Sequence, residues 1–125
     1  MVETSRVWDI DERLISFGVL VSRIVESLPP TRIGKHVSGQ LLRCGTAPAP
    51  IHAEAQSAES RKDFIHKMRL CLKELREVFV WLRYARRLEL GDSQVLEEGL
   101  EETDQLIRIF AASIATAERN QKKRS

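Results

Sequence analysis

The 125-residue sequence has only two cysteines, Cys44 and Cys71, so a disulfide scaffold is not expected. Long apolar runs are missing too. The longest charge-free run of the first helical segment, Leu14 to Ser22, falls far short of the roughly 20 residues of a membrane span. The opening MVETSRVWDID lacks the basic-then-apolar pattern of a secretory signal, which makes the cytoplasm the default compartment. A net charge of +2 is too small to imply a nucleic-acid partner by itself. No segment reads as a strand, a tandem repeat or a low-complexity linker.

The usual carriers of chemistry are equally scarce. His36, His52 and His66 are scattered, and no Glu-x-x-His pair occurs. No carboxylate sits at an inward position as a di-metal bundle site would require, so no metal is expected. Neither common Gly-rich phosphate loop is present, and Gly39 and Gly45 read as sites of close helix packing. Cys44 and Cys71 read as small buried apolar residues, not as nucleophiles. Neither a cofactor nor an enzymatic activity follows from any residue pattern.

What is present is helical periodicity. With 42% hydrophobic and 30% charged residues, the chain can fill a core and solvate its surface as one domain, residues 1–120, followed by a short basic tail, 121–125, expected to be disordered. The best-specified stretch is Lys62 to Leu88, with no Gly and no Pro. Phe64, Met68, Cys71, Leu75, Val78, Leu82 and Ala85 recur at steps of four and three, an apolar seam along one side of a helix. Ile65, Leu72 and Phe79 widen it. Ser60-Arg-Lys-Asp63 looks like its cap and Gly91 like its stop.

The same spacing organises the rest. Ile10, Leu14, Phe17, Val21, Ile24 and Leu28 form a first seam, with Asp9 and Glu12 as a candidate cap and Pro29-Pro30 as the stop. From Thr31, Val37, Leu41, Cys44, Pro48, Ile51 and Ala55 form a second. A mid-helix proline costs about 3 kcal/mol, so this segment is either two short helices or one helix kinked near Gly45–Pro50; the unbroken phase favours the kink. Ala47, Ala49, Ala53, Ala55 and Ala58 suit a closely packed neighbour. A fourth helix, capped by Asp92 or Ser93, carries Leu96, Leu100, Thr103, Ile107, Phe110, Ile114 and Ala117. Four helices with short connections predict an all-α, antiparallel up-down-up-down four-helix bundle with a proline-kinked second helix.

Charge is distributed unevenly. Residues 91–118 carry seven acids and one base, and residues 119–125 carry four bases and no acid. On the third helix Lys62, Arg69, Arg76 and Arg83 recur every seven residues, with His66, Lys73 and Arg87 in the adjoining row. This strip could track phosphates, with Arg119, Lys122, Lys123 and Arg124 adding to it. The alternative is a solvated face paired with Glu74, Glu77 or the acidic fourth helix. Leu70, Val80, Trp81 and Tyr84 cannot all join the Leu75–Leu82 seam, and they mark a candidate oligomer interface.

The order of several local patterns carries a resemblance. Gln40-Leu-Leu-Arg-Cys-Gly-Thr46, the proline-containing Ala47–Ile51, His52-Ala-Glu-Ala55, Ser57-Ala-Glu-Ser-Arg-Lys-Asp-Phe64 and Cys71-Leu-Lys-Glu-Leu-Arg-Glu-Val-Phe-Val-Trp-Leu82 resemble a bacterial four-helix-bundle family. Its members include proteins encoded in intervening sequences of 23S ribosomal RNA genes. The resemblance runs from about Phe17 to Asn120. It implies an up-down-up-down bundle, a ring-shaped homopentamer and no known enzymatic activity. Related bundles are accessory proteins of diversity-generating retroelements, in which a basic pentamer surface engages nucleic acid and a reverse transcriptase. The expectation that results is a non-enzymatic oligomer that binds structured RNA or DNA through the third-helix strip, or else a scaffold that docks a partner protein such as a reverse transcriptase.

Overall fold

A computed structural model describes residues 2–124, with side chains from Asp9 to Lys123. The chain is all-α: α1 Val2–Ser27, α2 Arg32–Thr46, α3 Pro48–Gln56, α4 Arg61–Arg87 and α5 Ser93–Arg124, with no strand among the described residues. Because α2 and α3 are separated only by Ala47, the five segments make four long elements. The third and fourth helices of the sequence reading are therefore α4 and α5.

The ends of these helices follow local chemistry. Helix α1 runs from Val2 and so passes through the expected cap at Asp9, because residues 2–8 contain no proline or glycine to stop it. Pro29-Pro30 follow its last turn. The Gly34 N–H donates to Thr31 Oγ1 at 3.1 Å and the Asp63 N–H donates to Ser60 Oγ at 3.0 Å, each a side-chain cap on the helix that follows. Asp92 caps α5, accepting from the N–H groups of Gln94 and Val95 at 2.9 and 3.3 Å.

The stop of α4 lies earlier than Gly91. Glu89 takes the left-handed conformation at φ 54°, its N–H donates to Arg86 O, and the Leu90 N–H donates to Ala85 O at 2.9 Å. This pair of bonds is a Schellman closure built on a non-glycine residue. Gly91, at φ 70°, is a second left-handed position, so the chain turns twice before α5. At the other end, α5 continues through the segment read as a basic tail to Arg124, where cations suit the carbonyl end of a helix.

The second segment divides at its prolines. Pro48 opens α3, and Ala47 before it has helical φ −73° and ψ −39°. Pro48 and Pro50 have no N–H to give to the carbonyls of Cys44 and Thr46, which is why the ladder is interrupted there. Ala47 O still accepts from the Ile51 N–H at 3.2 Å.

Most seam residues are buried: Leu14, Phe17, Val21, Ile24, Val37, Leu41, Cys44, Met68, Cys71, Leu75, Val78 and Leu82 form a continuous core. In α5 the seam is buried as expected at Leu96, Leu100, Thr103, Phe110, Ile114 and Ala117 and differs at one position. Leu106 is fully buried where Ile107 was expected, and Ile107 is only half-buried. Helix α4 is the hub, packing on α2, α3 and α5, while α1 closes the bundle against α2, α3 and α5. Cross-helix partners fix the register: Arg69 with Glu118 and Arg86 with Glu97 between α4 and α5, Arg13 with Glu102 between α1 and α5, and Asp11 with His52 between α1 and α3.

Two glycines behave oppositely. A Cβ on Gly45 would lie 2.6 Å from Val21 Cγ1, so α1 and α2 approach too closely there for any side chain. Gly39, also read as a close-packing site, is exposed with nothing near its missing Cβ, because it lies on the open side of α2.

Candidate nucleic-acid interface

Arg69, Lys73, Arg76, Val80, Arg83 and Arg87 fall at steps of four and three along α4. At 3.6 residues per turn these steps hold them within one narrow stripe. The stripe lies opposite the buried Met68, Cys71, Leu75, Val78 and Leu82, so its five cations all point to solvent. Lys62 extends the row at the start of the helix and is also exposed. The structure thus places the six lysines and arginines read as the third-helix strip on one outer face.

That face is shaped. Arg69, Lys73 and Arg76 rim a depression of about 410 Å³ whose floor is Leu72 of α4 and Ile114 of α5. One helical turn beyond Val80, Arg83 and Arg87 rim a second depression of about 260 Å³ with Tyr84 and Val80. Lys62 lines neither.

The electrostatic surroundings separate the strip from its neighbours. Glu74 and Glu77, the acids closest to it in sequence, both turn to Arg43 of α2. Three acids of α5 are engaged elsewhere: Glu97 with Arg86, Glu102 with Arg13 and Asp104 with Arg108. One strip residue is paired, Arg69 with Glu118 at 2.6 Å. Lys62, Lys73, Arg76, Arg83 and Arg87 have no ion-pair or hydrogen-bond partner among the described residues. None of these five is paired with Glu74 or Glu77, so the alternative for them is a solvated face.

Of the proposed interface residues, Val80 and Tyr84 are exposed at 47% and 53%. Leu70 is half-buried. Trp81 differs from the expectation: it packs partly against the core, with its ring 5.5 Å from His36 of α2 and 5.2 Å from Tyr84. Its contact with His36 places it at the junction of α2 and α4.

The cysteines are not reactive centres. Both are buried, and burial pushes each thiol up to about 12, so neither forms a thiolate at neutral pH. The Cys71 thiol is spent on Pro48 O, at 3.6 Å. Among the described residues, no three His, Cys, Asp or Glu side chains gather in a way that could hold a metal ion. No described helix is long and apolar enough to cross a membrane.

This helical architecture matches a known family: residues 6–112 match the model of the 23S rRNA-intervening sequence protein family. The chain belongs to that family. A crystal structure of a protein of unknown function from the S23 ribosomal protein family of Bacteroides thetaiotaomicron VPI-5482 is similar at 27% identity. Its TM-score is 0.77, over 84% of this chain and 97% of that one. No curated protein matches the chain. The match to the intervening-sequence family covers α2, α3, α4 and most of α5, so the basic strip lies wholly within it.

Sequence reasoning found the strip because seven-residue spacing is legible without coordinates. It missed His52, which is buried at 3% exposure and whose Nδ1 lies 2.5 Å from Asp11 Oδ1. The only available signal was its position beside Ile51 on the inner side of α3. Its partner lies 41 residues away, beyond the reach of any local pattern.

Proposed function

We propose that this intervening-sequence family member is a non-enzymatic, cytoplasmic, homo-oligomeric bundle that binds structured RNA, or DNA of similar form, through the basic strip of α4. In this reading the helices run antiparallel, up-down-up-down, with a proline kink between α2 and α3, and the oligomer is a pentameric ring. No cofactor takes part. The observation that carries the reading is the stripe of exposed cations, five of them unpaired, spread over roughly 25 residues at about 1.5 Å rise each, a length suited to several successive phosphates. The two depressions give those phosphates concave seats whose floors are apolar.

Phosphate contact would dominate such binding. Six contacts predict a loss of about a thousandfold in affinity between 50 and 200 mM salt. Filter binding to ribosomal RNA fragments at two salt levels tests this. Replacing Lys62, Arg69, Arg76 and Arg83 together by Glu should abolish it, and binding at micromolar affinity that ignores this replacement would rule the strip out.

A second reading rests on Val80 and Tyr84, exposed apolar groups set among the arginines. There the charges only solvate the assembly, and a partner protein such as a reverse transcriptase docks on the patch. Pulldown from the native host with nuclease treatment separates the two, because a protein partner that survives nuclease favours the scaffold.

A further inference from the structure

A cleft of about 340 Å³ opens at the end of the bundle where α1, α3, α4 and α5 meet, away from the α4 strip. Its wall is apolar: Ile10 of α1, Phe64 and Met68 of α4, and Ile109 and Phe110 of α5. An enclosed apolar cavity of about 150 Å³ accommodates benzene, so this cleft has room for a bicyclic ring or a ring with a short arm. It lies within the size range of small-molecule sites, which combine an apolar wall with a few placed polar groups.

The polar groups here are Asp9, His52, Gln56 and Ser113. His52 sets their character. It is buried, its Nδ1 faces Asp11 Oδ1 at 2.5 Å, and its Nε2 faces Gln56 Nε2 at 3.3 Å. One arrangement satisfies all three groups: the Nδ1–H donates to Asp11, and Nε2 accepts from the Gln56 amide. The His52 ring also meets Phe110 edge-on at 5.9 Å, which fixes its plane. With its nitrogens occupied, His52 offers a ligand no hydrogen bond, and Gln56 keeps its carbonyl oxygen and its second amide N–H. The open positions are thus the Gln56 Oε1, the Ser113 hydroxyl and the Asp9 carboxylate at the mouth. All three can accept, Asp9 alone among the lining residues is anionic, and no Lys or Arg lines the cleft among the described residues.

We propose that this cleft binds a small amphiphilic amine, with an apolar ring in the pocket and an ammonium group held at the mouth by Asp9, Gln56 and Ser113. An apolar wall with one carboxylate and no cation at its rim selects against a carboxylate of the same shape, because the anion would face Asp9 with no opposite charge to offset the repulsion. The inference is independent of the strip.

The test uses the full-length protein with two probes of similar body and opposite charge, tryptamine and indole-3-acetate, followed by two-dimensional amide and methyl NMR. Tryptamine should bind saturably and shift resonances of Ile109, Met68 and Phe64. Indole-3-acetate should bind at least about tenfold more weakly, as expected for exchange of a charged hydrogen bond for repulsion. Asp9→Asn should narrow that difference. Ser113→Trp, at an exposed position that leaves the core alone, should fill the cleft and remove tryptamine binding while the amide spectrum stays folded. The proposal is overturned if tryptamine gives no saturable shifts at millimolar concentration. It is equally overturned if indole-3-acetate binds as tightly, or if Ser113→Trp leaves binding unchanged.

Discussion

Arg13 of α1 holds Glu102 of α5 through two parallel hydrogen bonds, Nε to Oε2 at 2.9 Å and Nη2 to Oε1 at 2.8 Å. Nη2 also reaches Gln105 Oε1 at 2.9 Å. The hydrogen bonds with Glu102 raise the guanidinium further above its ordinary range, although burial opposes them, so Arg13 stays charged at every accessible pH. Both side chains are partly covered, at 33% and 25% exposure, which shields the pair more than a fully exposed one. A double-mutant cycle of Arg13→Ala with Glu102→Ala in urea denaturation should therefore give a coupling of about 1 kcal/mol. A coupling indistinguishable from zero would show that α1 is held to α5 by burial alone.

Gly45 and Gly39 should respond to alanine with opposite signs. At Gly45 the added methyl meets Val21 Cγ1 at 2.6 Å, so Gly45→Ala should destabilise by about 1–3 kcal/mol through overpacking. Val21→Ala in the same chain should recover part of the loss. At Gly39 the methyl meets nothing, and the residue sits inside α2, so Gly39→Ala should stabilise by about 0.5–1 kcal/mol. Thermal melts of the single variants and of the double variant check all three expectations.

The buried thiols predict alkaline sensitivity. Burial raises the folded-state values of Cys44 and Cys71 to about 12, while an unfolded thiol ionises near pH ~8.5. A raised folded-state value means the folded chain holds protons that the unfolded chain has released. The contribution is fully present below the unfolded value and is lost as pH rises toward 12. Denaturation at stepped pH should show stability falling above pH ~9, and Cys44→Ala with Cys71→Ala should flatten that slope whatever it costs at neutral pH. At pH 8, both thiols should react with a disulfide reagent only as fast as the bundle opens.

The legible part of this fold is the part written in local chemistry. Thr31, Ser60 and Asp92 announce helix starts because a short side chain that bonds free amides is needed wherever a helix begins. The inner faces were legible because 3.6-residue periodicity leaves a residue little choice of side. What escaped depends on partners distant in the chain. Glu89 adopts the left-handed conformation because Leu90 must return its N–H to Ala85, a closure that no glycine advertises. Leu106 takes the core place expected of Ile107; α5 packs against both α1 and α4, so steps of three or four both fit between Thr103 and Phe110. His52 is hidden because a polar residue gives no apolar signal until Asp11 is seen beside it. The strip lies between these cases: its spacing was legible, but its freedom from Glu74 and Glu77 depended on Arg43 arriving from α2.

Assembly follows from the same outer face. Val80 and Tyr84 stand exposed in line with Arg76 and Arg83, and Leu70 lies half-covered at the edge of the row. The Trp81 ring, partly packed on the core, contacts both His36 and Tyr84, so Tyr84 rests on a ring that is itself seated against the bundle. Apolar groups interleaved with unpaired arginines suit an interface in which arginine stems pack and their heads stay wet. On the first half of α5, Glu98 and Glu101 are exposed and have no partner among the described residues. A basic row and an acidic row on different faces favour a head-to-tail contact, which closes into a ring when the rotation allows. We therefore expect a homo-oligomer, five-membered on the family resemblance. Light scattering at micromolar concentration should report a mass several times 14.3 kDa. Leu70→Glu with Tyr84→Glu should dissociate it while circular dichroism still reports a folded helical chain, since neither side chain belongs to the buried core. Glu98→Lys with Glu101→Lys should weaken it as well, and adding Arg76→Glu with Arg83→Glu should restore it if the two rows meet across subunits. A monomer that persists at high concentration in moderate salt would end the idea, and it would leave the whole α4 strip open to nucleic acid.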